Sequence, residues 1–316
     1  MTLFTDALNL FKKSVDPKKT HLRRLPKIIQ LFGSGPIGVE EIHRNSSFRN
    51  VFLNWAHDNT SPLRDQFRLP EDYPEWNRFQ GYQNLVDFES DAGALSGGIL
   101  LFSEGSGALA ELGAFCMDKV LSERLLVVIR RSHFSEDSFL VHGPLKKIAS
   151  DHSDASICVI ESETPEQFYS EASKVAEALQ EKVNANPRKE LVSFDRVRDQ
   201  LLVIADLVEL FGALTETETL NLLKFLGLEI EREIFRRLVG QLLLFNLLEQ
   251  AQKYSQKYLI APTKNRDSFI DYDSANIELR FDRINFKVKT FEYLKKESTR
   301  RQAYSLVHGE VTHGSN

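Results

Sequence analysis

Four short runs, KIIQLF from Lys27, GGILLF from Gly97, ERLLVVI from Glu123 and SICVI from Ser156, are apolar almost without interruption, and stretches of helical periodicity separate them. Strands without polar alternation need cover on both faces, and strands that alternate with helices pair in parallel. The pattern therefore predicts a three-layer α/β domain of the flavodoxin-like kind over residues 27–184, preceded by an extension, 1–26, with a basic stretch at Lys18, Lys19, Arg23 and Arg24. SSFRNVFLNWAHDN reads as its first helix, with Ser46 or Ser47 as cap, and the residues from Pro165 to about Val183 as its last. ALAELGAFCMDKVL reads as one helix, and RLPEDYPEW as a proline-punctuated loop.

NANPRKE, from Asn184 to Glu190, has linker composition, and helices follow in close succession. VRDQLLVIADLVELFG, TETETLNLLKFLG and EREIFRRLVGQLLLFN are amphipathic, with Thr215 and Glu218 spaced as a capping box and Gly212 and Gly227 at helix ends. A hairpin with its turn near Tyr254 to Gln256 comes next. Three helices and a hairpin give the order of a winged helix-turn-helix, so residues 191–308 are expected to form a winged-helix-like domain before a tail, 309–316.

Composition narrows the function classes. The net charge of −5 over 316 residues gives no bulk attraction to a polyanion, so a nucleic-acid contact needs a local patch. Such patches are offered by Arg232, Arg236 and Arg237 on the third helix, Lys253 and Lys257 beside the hairpin turn, and Arg283 and Lys287 on a last basic helix. Cys116 and Cys158 lie in apolar contexts without metal-ligand spacing, which predicts reduced thiols and no metal. With no apolar run near the ~20 residues of a membrane span and no secretory signal pattern, a cytoplasmic protein without membrane contact is expected.

Ligands of an open parallel sheet bind beyond the carboxyl ends of its strands, where two glycine turns fall. Gly33-Ser34-Gly35 opens a formal GxGxxG, but no helix follows directly and the acidic residue of a dinucleotide fold is missing. Gly105-Ser106-Gly107 opens onto a helix whose free N–H groups can hold a phosphate. Glu111 stands one turn inside, where the helix dipole favours an ionised carboxylate. Such a group can attack an anomeric carbon, because the oxocarbenium-like transition state is stabilised by negative charge. An acidic residue placed only for the dipole fits the same spacing.

ELGAF (Glu111 to Phe115) with its glycine loop resembles the nucleoside 2-deoxyribosyltransferase-like superfamily, whose Glu attacks C1′. ILLFSEGSGALAELGAF, SFLVHGP (Ser138 to Pro144) and the winged-helix-like half together resemble the effectors of bacterial retrons, in their deoxyribosyltransferase-like group. The resemblance implies a toxic anti-phage effector that cleaves a nucleotide N-glycosidic bond, with NAD+ the leading substrate and no cofactor. It implies partners in the retron reverse transcriptase and its RNA–DNA product (msDNA), and a homo-oligomer or larger complex. Glu89 is implied as an assisting carboxyl; Ser103 and Ser106 can bind sugar or phosphate oxygens, and Glu71 or Asp72 can enter the pocket. Glu104 reads as a solvated loop charge. Because an acceptor-base signature is missing, hydrolysis is expected over transfer. A nucleotide phosphoribohydrolase and a non-enzymatic nucleotide-sensing DNA-binding regulator are the alternatives.

Overall fold

The computed structural model describes residues 3–34, 46–74, 76, 82–185, 189–263, 268–276 and 280–309. They form two compact units, one of residues 26–34, 46–74, 76 and 84–185, the other of residues 3–25, 82–83, 189–263, 268–276 and 280–309.

The chain begins in the second of these with α1 (Leu3–Ser14) and β1 (Val15–Leu22), then builds the α/β unit. Its elements are β2 (Ile29–Phe32), α2 (Phe48–Asp58), β3 (Phe67–Arg68), α3 (Leu85–Leu95), β4 (Gly98–Phe102), α4 (Ser106–Phe115), α5 (Lys119–Arg124), β5 (Leu125–Arg130), α6 (Arg131–Phe134), α7 (Lys146–Asp151), β6 (Ile157–Ile160), α8 (Pro165–Phe168) and α9 (Ala172–Asn184). The five strands are parallel in the order β3-β2-β4-β5-β6. Every residue of β2 and β4 is buried, because the sheet separates two cores. Leu100 and Phe102 point into one core with Phe52, Phe168 and Leu179, while Ile99 and Leu101 enter the other with Leu112, Phe115 and Ile148. The expected three-layer α/β architecture is what the chain forms. Strand order reverses between β2 and β4, and it is outside the carboxyl ends of the strands at such a switch point that open α/β sheets bind ligands.

Two helices are shorter than the sequence suggested. The stretch after Gly107 breaks at Cys116, and Asp118 restarts it by accepting hydrogen bonds from the Val120 and Leu121 amides at 2.8 and 3.0 Å. The segment from Pro165 divides at a 3-10 turn, Tyr169–Glu171. Both cysteines are buried and free.

The other unit adds α10 (Val197–Phe211), β7 (Ala213–Leu214), α11 (Glu216–Leu226), α12 (Arg232–Leu244), β8 (Glu249–Lys253), β9 (Gln256–Ile260), β10 (Ile270–Ser274), α13 (Arg283–Lys296) and α14 (Ser298–His308). Thr215 and Glu218 form the capping box, and Gly212 and Gly227 end their helices at φ +80° and +101°. The antiparallel sheet β7-β9-β8 follows, with the β8–β9 hairpin turning at Tyr254 as the sequence suggested. The basic extension is an integral part of this unit: β1 pairs antiparallel with β10, and Phe11 of α1 packs edge-on against Phe211, Tyr272 and Phe286. The expected single basic helix is two, α13 and α14, parted at Glu297.

Candidate active site

The loops after β2 and β4 are tied together by Glu104. Its carboxylate accepts hydrogen bonds from the amides of Ser34 (3.1 Å), Phe48 (2.7 Å) and Arg49 (3.2 Å), capping the open end of α2. It is therefore not the solvated loop charge of the sequence reading. Burial pushes its carboxyl above the ordinary value, opposed by these amides and by the Arg49 charge. Ser47 caps the same helix, accepting from the Asn50 amide at 3.1 Å while donating to the Ser34 carbonyl at 3.0 Å. Glycine is needed at Gly33, φ +153°, where a Cβ would lie 2.8 Å from Glu104 Oε1 and 2.9 Å from the Arg49 Cβ, whereas at Gly105 its near contact would be the rotatable Ser34 hydroxyl, at 2.6 Å. Gly35 falls outside the described residues.

Arg49, which sequence reasoning missed, is 2% exposed and forms a two-pronged ion pair with the half-exposed Glu71, Nη1 reaching Oε2 at 3.2 Å and Nη2 reaching Oε1. Its Nε has no partner among the described residues. The one sequence signal was a local conflict, an arginine in a helix first turn where the dipole disfavours a cation. Of the two acids in the proline turn, Glu71 reaches this arginine, whereas Asp72 folds back to accept from the Leu69 amide at 2.9 Å.

Glu111 on α4 and Glu89 on α3 lie within electrostatic reach of one another, and each carries a buried carboxyl oxygen with no hydrogen-bond partner among the described residues. Burial raises the Glu111 carboxyl to about 7; Arg49 opposes that rise and Glu71 adds to it. Burial and then the Glu111 charge raise Glu89 to about 8. The dipole expectation thus needs correcting. Glu111 stands beyond the first turn of α4, where the dipole has faded, and desolvation dominates. Near neutrality Glu89 therefore keeps its proton while Glu111 is the carboxyl that ionises.

The remaining expected ligands are distributed unevenly. Ser106 and Gly107 are exposed at the start of α4, with no heavy atom within 4 Å of a Cβ built on Gly107. Ser103 is buried and donates its hydroxyl to the Val128 carbonyl at 3.0 Å, bracing β4 against β5. In the other unit, Glu216 takes up Arg232 at 3.4 Å and Arg236 at 3.1 Å, and Arg237 stacks over Tyr82 at 5.4 Å. Arg283 and Lys287 turn inward: Arg283 binds both oxygens of Asp206 at 3.0 Å and, with Lys287, pairs with Glu209. Lys253 lies over the Tyr254 ring at 5.4 Å, and Lys257 is exposed. Among the described residues, no helix is long and apolar enough to cross a membrane.

Comparison with known proteins places these features in a family. A segment of 65 residues is 37% identical to the Escherichia coli protein named "Retron Ec73 putative ribosyltransferase/DNA-binding protein", covering 21% of either chain, so this chain spans about a fifth of that relative's length. Residues 45–253, about two thirds of the 316, match the family model described as STM3845 retron effector protein. That match takes in the carboxylate pair and the helical unit from α10 through β8, and by it the chain belongs to the STM3845 retron effector family.

Proposed function

We propose that the α/β unit cleaves the N-glycosidic bond of a nucleotide, with NAD+ the leading substrate, and that this makes the protein the toxic component of a retron anti-phage system. The observation that carries the reading is the pair of buried carboxyl oxygens on Glu89 and Glu111 that have no hydrogen-bond partner among the described residues, on carboxyls pushed up to about 8 and about 7. A structural carboxyl at such depth would ordinarily be hydrogen-bonded, so unmet polar groups call for a ligand.

The Glu111 carboxylate attacks C1′ of the bound ribose, a C–O bond forms as the C–N bond breaks, and the base departs with the bonding electrons. Nicotinamide leaves NAD+ as a neutral molecule and needs no proton; a purine or pyrimidine needs one, and protonated Glu89 can supply it. Water then displaces Glu111 from C1′, its proton passing to ionised Glu89 or to solvent. A different acceptor in place of water would give transfer, the activity in the E. coli relative's name. Gly105 and the free amides of α4 suit a phosphate, and Arg49 stands ready to hold negative charge near the reacting centre. The helical unit serves in this reading as the contact for the retron reverse transcriptase and its RNA–DNA, which restrain the enzyme in the cytoplasm until infection.

The test is to incubate purified protein with NAD+ and separately with nucleoside monophosphates, and to resolve the products by chromatography. Released nicotinamide and ADP-ribose are expected from wild-type protein, and none above background from Glu111→Gln with an unchanged circular dichroism spectrum. Turnover by Glu111→Gln at the wild-type rate would remove the carboxylate from the mechanism, and release of base from no substrate would end the enzymatic reading.

A further inference from the structure

The helical unit carries a groove that neither the sequence motifs nor the carboxylate site account for. Two adjoining cavities of about 690 and 270 Å³ share Ser274, Asn276, Arg280 and Phe281. The larger reaches Lys19 and His21 of β1 and Lys189; the smaller reaches Lys13 of α1 and Lys289 of α13. Of the three acids of the groove, Asp271 faces Arg23 at 3.8 Å, Asp273 lies 3.9 Å from His21, which pairs with it only when protonated, and Asp282 caps α13 by accepting from the Asn285 amide at 2.9 Å. Lys13, Lys189, Arg280 and Lys289 are exposed, and none has an ion-pair partner among the described residues. At the junction Phe281 is half-buried, held edge-on by Tyr272 at 5.8 Å and tilted against Phe286 at 5.4 Å.

We propose that this groove binds a single-stranded nucleic-acid segment, with phosphates on Lys13, Lys189, Arg280 and Lys289 and a base against Phe281. A row of unpaired cations beside a braced aromatic face is the arrangement that tracks a backbone and stacks its bases, whereas a duplex keeps its base faces hidden. The proposal rests on the reading that the helical unit contacts nucleic acid, but it moves that contact away from α12. There Glu216 pairs with both Arg232 and Arg236, so on the face used by a winged helix for groove reading these two guanidiniums would have to give up a carboxylate to take a phosphate.

The experiment measures anisotropy of a fluorescein-labelled, mixed-sequence DNA strand of about 20 nucleotides titrated with the full chain over a salt series. Lys189→Glu with Arg280→Glu, and separately Lys13→Glu with Lys289→Glu, should each weaken low-salt binding at least about ten-fold. The matching glutamine pairs should flatten the log–log salt slope by roughly 1.4, for two phosphates lost. Phe281→Ala should weaken binding without changing the slope, and Arg232→Glu with Arg236→Glu should stay within about two-fold of wild type. Circular dichroism melting separates lost binding from lost folding, and the glutamine pairs leave the fold least disturbed. Wild-type binding abolished only by the α12 pair would overturn the groove while leaving nucleic-acid contact standing; no binding by wild-type protein would overturn both. NAD+ cleavage, read separately, is unaffected by either result.

Discussion

Two carboxyls of one residue type differ here only in surroundings, and the difference is measurable in pH. Activity on a nucleoside monophosphate needs Glu111 ionised and Glu89 protonated, so its rate should peak in a narrow band between about 7 and about 8. With NAD+ only the rising limb near 7 is expected, and Glu89→Gln should reduce monophosphate cleavage by about 10²–10⁴-fold while sparing nicotinamide release. Comparable losses on both substrates would remove Glu89 from proton donation. The same group links stability to pH. The folded carboxyl titrates at about 8 against an ordinary 4.5, so the folded state holds the extra proton between those values and stability falls as pH rises across them. Glu89→Gln should therefore raise the melting temperature more at pH about 8 than at pH about 5. Glu111 could be found in the sequence because its glycine loop and helix are contiguous with it. Arg49 and Glu104 could not, since Glu104 bonds the Arg49 amide across 55 positions and Glu71 bonds its guanidinium across 22.

Among elements, the glycine turns divide into one that the backbone requires and one that it does not. Gly33→Ala would force a side chain into a left-handed backbone 2.8 Å from Glu104 Oε1 and 2.9 Å from the Arg49 Cβ. A loss of about 1–3 kcal/mol in denaturant unfolding is expected. Gly107→Ala meets open space inside a helix and should be neutral or stabilising by about 0.4–1 kcal/mol. If it nonetheless lowers nucleotide cleavage, Gly107 serves ligand approach and not folding. The strands of the α/β unit were readable because each is an unbroken apolar run, as β4 is through Gly98–Phe102. Helix breaks at Cys116 and Tyr169 were not, because periodicity continues across both and only a capping contact or a 3-10 turn marks them.

On the scale of the molecule, the helical unit is organised around charge as well as apolar packing. Asp206 is fully buried on α10, accepting from the Phe269 amide at 2.7 Å and the Ile270 amide at 3.2 Å besides binding Arg283. Asp206→Ala leaves two amides without an acceptor and leaves Arg283 with Glu209 as its one carboxylate, and should cost about 3–5 kcal/mol in denaturant unfolding, against less for Asp206→Asn. A change below about 0.5 kcal/mol would show that the cluster is not structural. The sequence displayed Arg283 and Lys287 as part of a basic surface because helical spacing cannot reveal an acidic partner on α10, 77 or 78 positions away. Likewise β1 looked like a polar lead-in, since the strand it pairs with, β10, lies far along the chain, its Ile270 opposite Leu22.

That pairing sets a timetable for synthesis. Residues 26–185 hold every strand of the five-stranded sheet, so this half can close on itself while the ribosome is still translating. Its neighbour must keep its opening segment waiting until Ile270–Ser274 and the two terminal helices emerge, an interval on the order of ten seconds at bacterial elongation rates. A newly made molecule can thus pass through a stage in which the carboxylate pair is assembled and the other half is not. A chain released early, at the linker, would stay in that stage for good.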